Sequence, residues 1–256
     1  MLGHLLRFEL RLWLRGTMVY IFLAVITLLV FGAVSSEKII IGRALENTNR
    51  NAPFVIENFY SVISILTLLM TTAFVNSAAT RDFAQNTYQL LFTTPLRKRD
   101  YLLARYLGSS LIAVIPMLGV SVAIIIAKYM PWVDAERWGS INWLAHWNSI
   151  IAFAIPNTLF IAAIIFAIAI LTRSTITSFL GALLLLVAYT VAETFLEDID
   201  NEQIAMLIDP FGIRTFSLMT KYWTVADRNS LSLGMEGMLL CNRLIWLTVG
   251  DRKSVV

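Results

Sequence analysis

Five stretches of the chain, residues 17–34, 59–79, 106–127, 147–171 and 177–195, are near-continuously apolar and long enough to cross a bilayer. About 20 helical residues at 1.5 Å each span a hydrocarbon core of about 30 Å. Lipid offers no partner to a backbone N–H or C=O, so a spanning segment must satisfy its own, and uninterrupted apolar runs do this as helices. The expected fold is therefore all-α, a polytopic membrane helix bundle of five full transmembrane helices. Composition agrees: 58% of the 256 residues are hydrophobic and 14% charged, against about a quarter charged in a soluble domain. The five runs hold no Asp, Glu, Lys or Arg except Glu193, which sits near the end of the last run beside Glu197 and Asp198 and reads as interfacial.

Before the first run, His4, Arg7, Arg11 and Arg15 fall on one helical stripe among leucines, Phe8 and Trp13. This pattern predicts an N-terminal interfacial amphipathic helix with its basic stripe toward lipid phosphates, and Gly16-Thr17 as the bend into the first span. The run 18–34 is longer than the about 7 to 15 residues of a signal-peptide core, so it is expected to stay uncleaved. Pro116 and Pro156 lie inside the third and fourth runs and predict kinks. Asn76, Asn157, Thr67, Thr71 and Thr72 read as polar contacts between helices.

The segments 1–16, 80–105 and 172–176 carry nine Lys and Arg residues, and the alternate segments carry nine spread over about twice the length with twelve acids. That density predicts a cytoplasmic N-terminus. The acidic segment 197–234 contains the turn signal Asp209-Pro210-Phe211-Gly212 and room for short interfacial helices. Residues 242–249 read as the start of a sixth span that Gly250-Asp251-Arg252-Lys253 interrupts, which would place Arg243 within the membrane at a cost of several kcal/mol unless paired. The expected organisation is a membrane domain over 1–249 with a truncated sixth span, followed by an aberrant tail over 250–256.

The net charge of +3 gives no basis for nucleic-acid binding, and the single Cys241 none for a disulfide or thiolate metal cluster. No His-Glu-x-x-His, phosphate loop or Gly-x-Ser-x-Gly elbow occurs, and His4 and His146 are the two histidines, both at expected interfaces. Catalytic, cofactor and metal sites are accordingly not expected.

The most informative stretch is the basic loop between the second and third runs. Arg81-Asp82, Gln85, Asn86-Thr87, Leu90-Leu91, Thr94-Pro95 and Arg97 follow one another as a short amphipathic helix, a proline stop and a basic cluster that continues through Lys98 and Arg99. Their order resembles the loop of ABC-2 type permease subunits. The resemblance implies a coupling loop made of Arg81, Asp82, Gln85, Asn86, Thr87, Leu90, Leu91, Thr94, Pro95 and Arg97, docked on a separate ABC ATPase subunit at the cytoplasmic face of a bacterial inner membrane. It also implies a second permease half or a homodimer completing the path, and export as the direction. Further segments, among them Met130-Pro131-Trp132, Ala154-Ile155-Pro156-Asn157 and Lys221-Tyr222-Trp223, resemble the N-terminal permease region of bacterial proteins that fuse such a membrane part to a zinc aminopeptidase. The alternative implied there is a membrane anchor for a peptidase, without transport of its own. Nothing in the spans discriminates lipid, peptide, drug or saccharide as substrate.

Overall fold

The computed structural model describes residues 2–36, 47–87, 89, 93, 97–196 and 202–254, with backbone alone at 195–196 and 251–254. Every regular element among them is helical: α1 (Leu2–Arg15), α2 (Thr17–Ser35), α3 (Pro53–Ile63), α4 (Thr67–Ala84), α5 (Lys98–Val114), α6 (Leu118–Lys128), α7 (Trp143–Ser149), α8 (Ile155–Thr172), α9 (Thr175–Leu196), α10 (Glu202–Ile208), α11 (Ile213–Met219), α12 (Val225–Ser230) and α13 (Gly237–Ser254). Four helical stretches are long and apolar enough to cross a membrane: Thr17–Ser35, Lys98–Lys128, Trp143–Thr172 and Thr175–Thr194. The pair α3 and α4 makes a fifth if it is counted as one span, bent by 52°.

That bend corrects the expected second span, which begins earlier than residue 59 and is broken in the middle. Pro53 opens α3 at a position where its missing N–H costs nothing. The break follows from three hydroxyls in succession: Ser61 donates to the Asn58 carbonyl, Ser64 to that of Ser61 and Thr67 to that of Ser64. Hydroxyls that bond back onto the helix loosen its own ladder and bend it. Thr72 likewise bonds back to Leu68 O at 2.7 Å, so it and Thr67 serve their own helix rather than a neighbour.

The two prolines act in opposite senses. Pro116 tightens Ile115–Met117 into a 3₁₀ turn between α5 and α6. Pro156 follows a π-helical turn at Ile150–Ala154, a widened coil, and sits in the first turn of α8. The α13 backbone passes through Gly250 and stays helical to Ser254, and its apolar part, Gly237–Gly250, is shorter than the other spans.

Two apolar cores hold the bundle. One joins Ile26 and Val30 of α2, Ile56 of α3, Val120 of α6 and Phe153 of the π turn. The other joins Leu68 and Val75 of α4 to Ile161 and Ile165 of α8 and Tyr189 of α9. Only 28% of the α2 span and 17% of the α9 span are buried, against 56% and 61% for the two longer stretches, so α2 and α9 present their faces outward. The described parts of the segments rich in Lys and Arg meet at one end of the bundle, here the basic end, through Glu9, Arg81, Arg105, Phe83 and Arg173. Those of the alternate segments meet at the other, the acidic end, through Asn49, Asn229, Arg50, Arg137, Asn51 and Gly139.

Candidate functional site

The basic end is built around a buried ion cluster. Helix α1 exposes His4, Arg7, Arg11 and Arg15 and turns Glu9 inward against α5 and Trp13 against Phe74 of α4. Its close approach requires Gly108, because a Cβ there would stand 2.7 Å from Glu9 Cβ. Glu9 Oε1 accepts a hydrogen bond from Arg81 Nη2 at 2.7 Å and lies 3.0 Å from Arg105 Nη1, close enough for an ion pair but off the angle of a hydrogen bond. Arg105 Nη2 and the Tyr101 hydroxyl both donate to Asp82 Oδ2. Two carboxylates and two guanidiniums thus balance in a site where Glu9, Asp82 and Arg105 are each under 7% exposed. Burial raises the Glu9 carboxyl above its ordinary range, and the neighbouring Arg81 opposes the rise.

The cluster sits at the root of the basic loop. Helix α4 ends with Asn86 in the left-handed region (φ 54°), Asn86 N donating to Phe83 O at 3.2 Å and Thr87 N to Asp82 O at 2.9 Å. This pair of bonds is a Schellman closure, and asparagine is the non-glycine residue that best tolerates its geometry. The Asn-Thr pair in the loop pattern is therefore a helix stop that sets the direction in which the loop leaves. The other basic loop is strapped to the same place: Arg173, itself left-handed (φ 51°), stacks 4.4 Å over the Phe83 ring.

Of the ten residues expected to form the loop site, Leu90, Leu91, Thr94 and Pro95 lie outside the described residues. Gln85, Asn86 and Arg97 are exposed around the loop root, with Thr87 half-buried. Arg81 and Asp82 are placed differently from the expected surface pair, because both face partners within the chain. Glu9, Tyr101 and Arg105, which complete the cluster, were not singled out in the sequence. A lone acid on the apolar side of a basic helix was the signal available for Glu9.

Beside the cluster a cavity of about 420 Å³ opens between α2, α4 and α9, and Asn76, Ser77, Thr80, Arg81, Thr175 and Phe179 are among its lining residues. Asn76 Nδ2 bonds Thr175 Oγ1 at 3.1 Å, which ties α4 to α9 as expected, while its buried Oδ1 has no partner.

The acidic end holds a second polar knot. Arg243 of α13, 1% exposed, donates through Nη1 to Asn157 Oδ1 at 2.5 Å and to Pro210 O at 3.3 Å. Asn157 Nδ2 in turn holds Phe211 O at 3.0 Å, so both spans grip the Asp209-Pro210-Phe211-Gly212 turn. Asp209 accepts from Phe211 N and Arg214 N, and Asn242 donates to the carbonyls of Met206 and Asp209. Burial raises the Asp209 carboxyl, with these backbone donors and Arg243 opposing. Gly212 (φ 73°) is required twice over, by its conformation and because a Cβ would lie 1.4 Å from Arg243 Nη2.

Two further titratable residues of this half are buried. His146 is buried and bonds Ser121 Oγ at 2.8 Å, which in turn bonds the Tyr60 hydroxyl at 2.7 Å. Glu57, fully buried in α3, accepts from Ser232 Oγ at 2.6 Å and Leu233 N at 2.8 Å. Glu193 of α9 lies 3.8 Å from Arg214, in keeping with a position at the span's edge. Among the described residues no group of three His, Cys, Asp or Glu side chains could hold a metal ion.

Residues 43–240 match a family model described as ABC-2 family transporter protein. No curated protein matches the chain.

Proposed function

Since this chain belongs to the ABC-2 family of transporter proteins, a multi-pass membrane component of ABC transporters that is not itself catalytic, we propose that it is the permease of an exporter driven by ATP hydrolysed on a separate subunit. The basic end faces the cytoplasm of a bacterial inner membrane, and the ATPase docks on the loop from Gln85, Asn86 and Thr87 through Leu90, Leu91, Thr94 and Pro95 to Arg97. The observation that carries this reading is the ion cluster at the loop root. It joins α1, α4 and α5 through Glu9, Arg81, Asp82 and Arg105, so a push on the loop is delivered to three helices together.

Arg81 and Asp82 serve this function from inside, as the anchor of the loop rather than its contact surface. The cavity beside Asn76 lies where a substrate would enter from the cytoplasmic side, and the outward faces of α2 and α9 support a second permease half or a second copy of the chain there.

Replacing Leu90 and Leu91 with Asp tests the docking. A leucine buried at such a contact is worth about 1–3 kcal/mol, and the introduced charge adds its desolvation cost. The double variant is expected to insert normally and to lose co-purification with the cognate ATPase. Undiminished co-purification would refute the docking assignment. Cysteines at Asn49 and Ser140, in a chain with Cys241 replaced by Ser, are expected to react with an impermeant reagent in intact cells, and one at Asn86 is not. The reverse labelling pattern would turn the chain over and remove the cytoplasmic reading of the loop.

A further inference from the structure

The acidic end carries a pocket that neither the ion cluster nor the transport reading uses. It measures about 210 Å³ and lies between the start of α3, helix α11 and helix α12, lined in part by Phe54, Asn58, Phe216, Ser217, Lys221 and Arg228. None of the lining residues is acidic. The Arg228 guanidinium lies 4.7 Å over the Phe54 ring, Lys221 Nζ stands 2.7 Å from Glu202, and Asn58 Nδ2 is buried without a hydrogen-bond partner. The Lys221 and Glu202 side chains are 44% and 50% exposed, so their pair is weak and open to exchange for another anion. Two cations, an amide donor and a serine hydroxyl therefore converge on a space of one charge preference.

Its size narrows the ligand. Sites for whole small molecules run from about 300 to 1,000 Å³, so this pocket takes one polar group, with the rest of the molecule outside. Its depth narrows the ligand further. Tyr129, Trp132, Trp143, Trp147 and Tyr222 at this end are each at least 60% exposed. The 129–142 loop is fastened beside α3 by the Asn51 side chain, which donates to Gly139 O and Ser140 O and accepts from Gly139 N. Exposed Trp and Tyr residues gather at the headgroup level of a bilayer, and Tyr222 adjoins Lys221. The anion at that level is a lipid phosphate, whose oxygens suit the guanidinium fork and the ammonium together.

We propose that this pocket binds the phosphate group of a membrane phospholipid, held by Lys221, Arg228 and Asn58, with the acyl chains outside against the bundle. The site does not depend on which end of the chain faces the cytoplasm or on the ATPase, and its test can be run on the purified full chain in detergent. Native mass spectrometry with added phosphatidylglycerol is expected to show one retained lipid, with affinity falling at least about ten-fold in Arg228→Gln and further in the Lys221→Gln/Arg228→Gln double variant. Dioleoylglycerol, which has similar chains and no phosphate, is expected not to compete. Competition by sn-glycerol 3-phosphate supports phosphate as the recognised group. Binding of that ester with no lipid retained would overturn the lipid as its source. Unchanged lipid affinity in the double variant, or equal competition by dioleoylglycerol, would overturn the site itself. If the double variant melts early without lipid, Arg228→Lys decides instead: it keeps the charge but not the fork, and affinity between wild type and Arg228→Gln is the expected result, equality with wild type the contrary one.

Discussion

Each end of the bundle buries an arginine, and the two are neutralised in different ways. Arg105 at the basic end faces the carboxylates of Glu9 and Asp82, which are also held by Arg81 and Tyr101. Arg243 at the acidic end bonds the amide oxygen of Asn157 and the carbonyl of Pro210, and its Nε and Nη2 make no hydrogen bond. The first arrangement depends on direct ion pairs and the second on neutral hydrogen bonds and shape, with Gly212 holding the guanidinium in place and the Asp209 carboxylate attracting it without bonding it. Removing a partner from a balanced buried pair strands a charge, whereas removing Arg243 breaks two bonds to neutral groups and leaves Asp209 to its backbone donors.

The largest expected effect tests the shape of the acidic end. Gly212→Ala puts a methyl where Arg243 lies and forces a left-handed alanine, for a loss of roughly 5 kcal/mol in reversible unfolding by SDS titration. A loss below about 1 kcal/mol, the ordinary scale of a surface change, would show that the turn can reshape and that shape does not hold the arginine.

Next comes the balanced cluster. Arg105→Met leaves Glu9 and Asp82 with Arg81 alone and is expected to cost about 3–5 kcal/mol in the same titration. Restoring balance with Asp82→Asn in the same chain should recover part of it. No recovery would mean that packing, not charge, dominates at this end.

Arg243→Met is the matched change at the acidic end and is expected to cost less, about 1–3 kcal/mol, since two hydrogen bonds and the attraction on buried Asp209 are lost while two unbonded donors leave the core and Asp209 keeps its backbone donors. Equal losses for Arg105→Met and Arg243→Met would erase the contrast. The smallest effect lies at the loop root: Asn86→Gly is expected to be neutral within a few tenths of a kcal/mol and Asn86→Val to cost about 1–2 kcal/mol. Thermal unfolding followed by tryptophan fluorescence separates the two, and a harmless valine would mean that the left-handed closure is not needed.

The spans were legible because apolar length is a local property, and residues 17–34, 106–127, 147–171 and 177–195 each fall within a helical stretch. The bend was not, since it arises from the bonding of Ser61, Ser64 and Thr67 hydroxyls rather than from their presence. Starting the second span at residue 59 left Glu57 in a loop, where an acid is ordinary, when Pro53 in fact opens the helix and buries it. The Arg81-Asp82 pair was found as a pattern, but the direction it faces depends on Glu9, 72 residues earlier, and Arg105. Arg243 was read as a misfit because its partners, Asn157 and Pro210, come from other parts of the chain.

The π turn at Ile150–Ala154 has a further consequence, for the tolerance of the gene to length change. A helix advances about 100° per residue, so an insertion or deletion in most spans rotates everything beyond it off its packing face. A widened turn takes up one extra residue without passing that rotation on. Losing one residue from 150–154 would return the coil to α geometry and leave Asn157 aimed at Arg243, whereas the same loss in 157–172 would rotate the rest of the helix off its face. Ribosomes count residues and packed helices count turns, and this segment is where a span can absorb a discrepancy between the two.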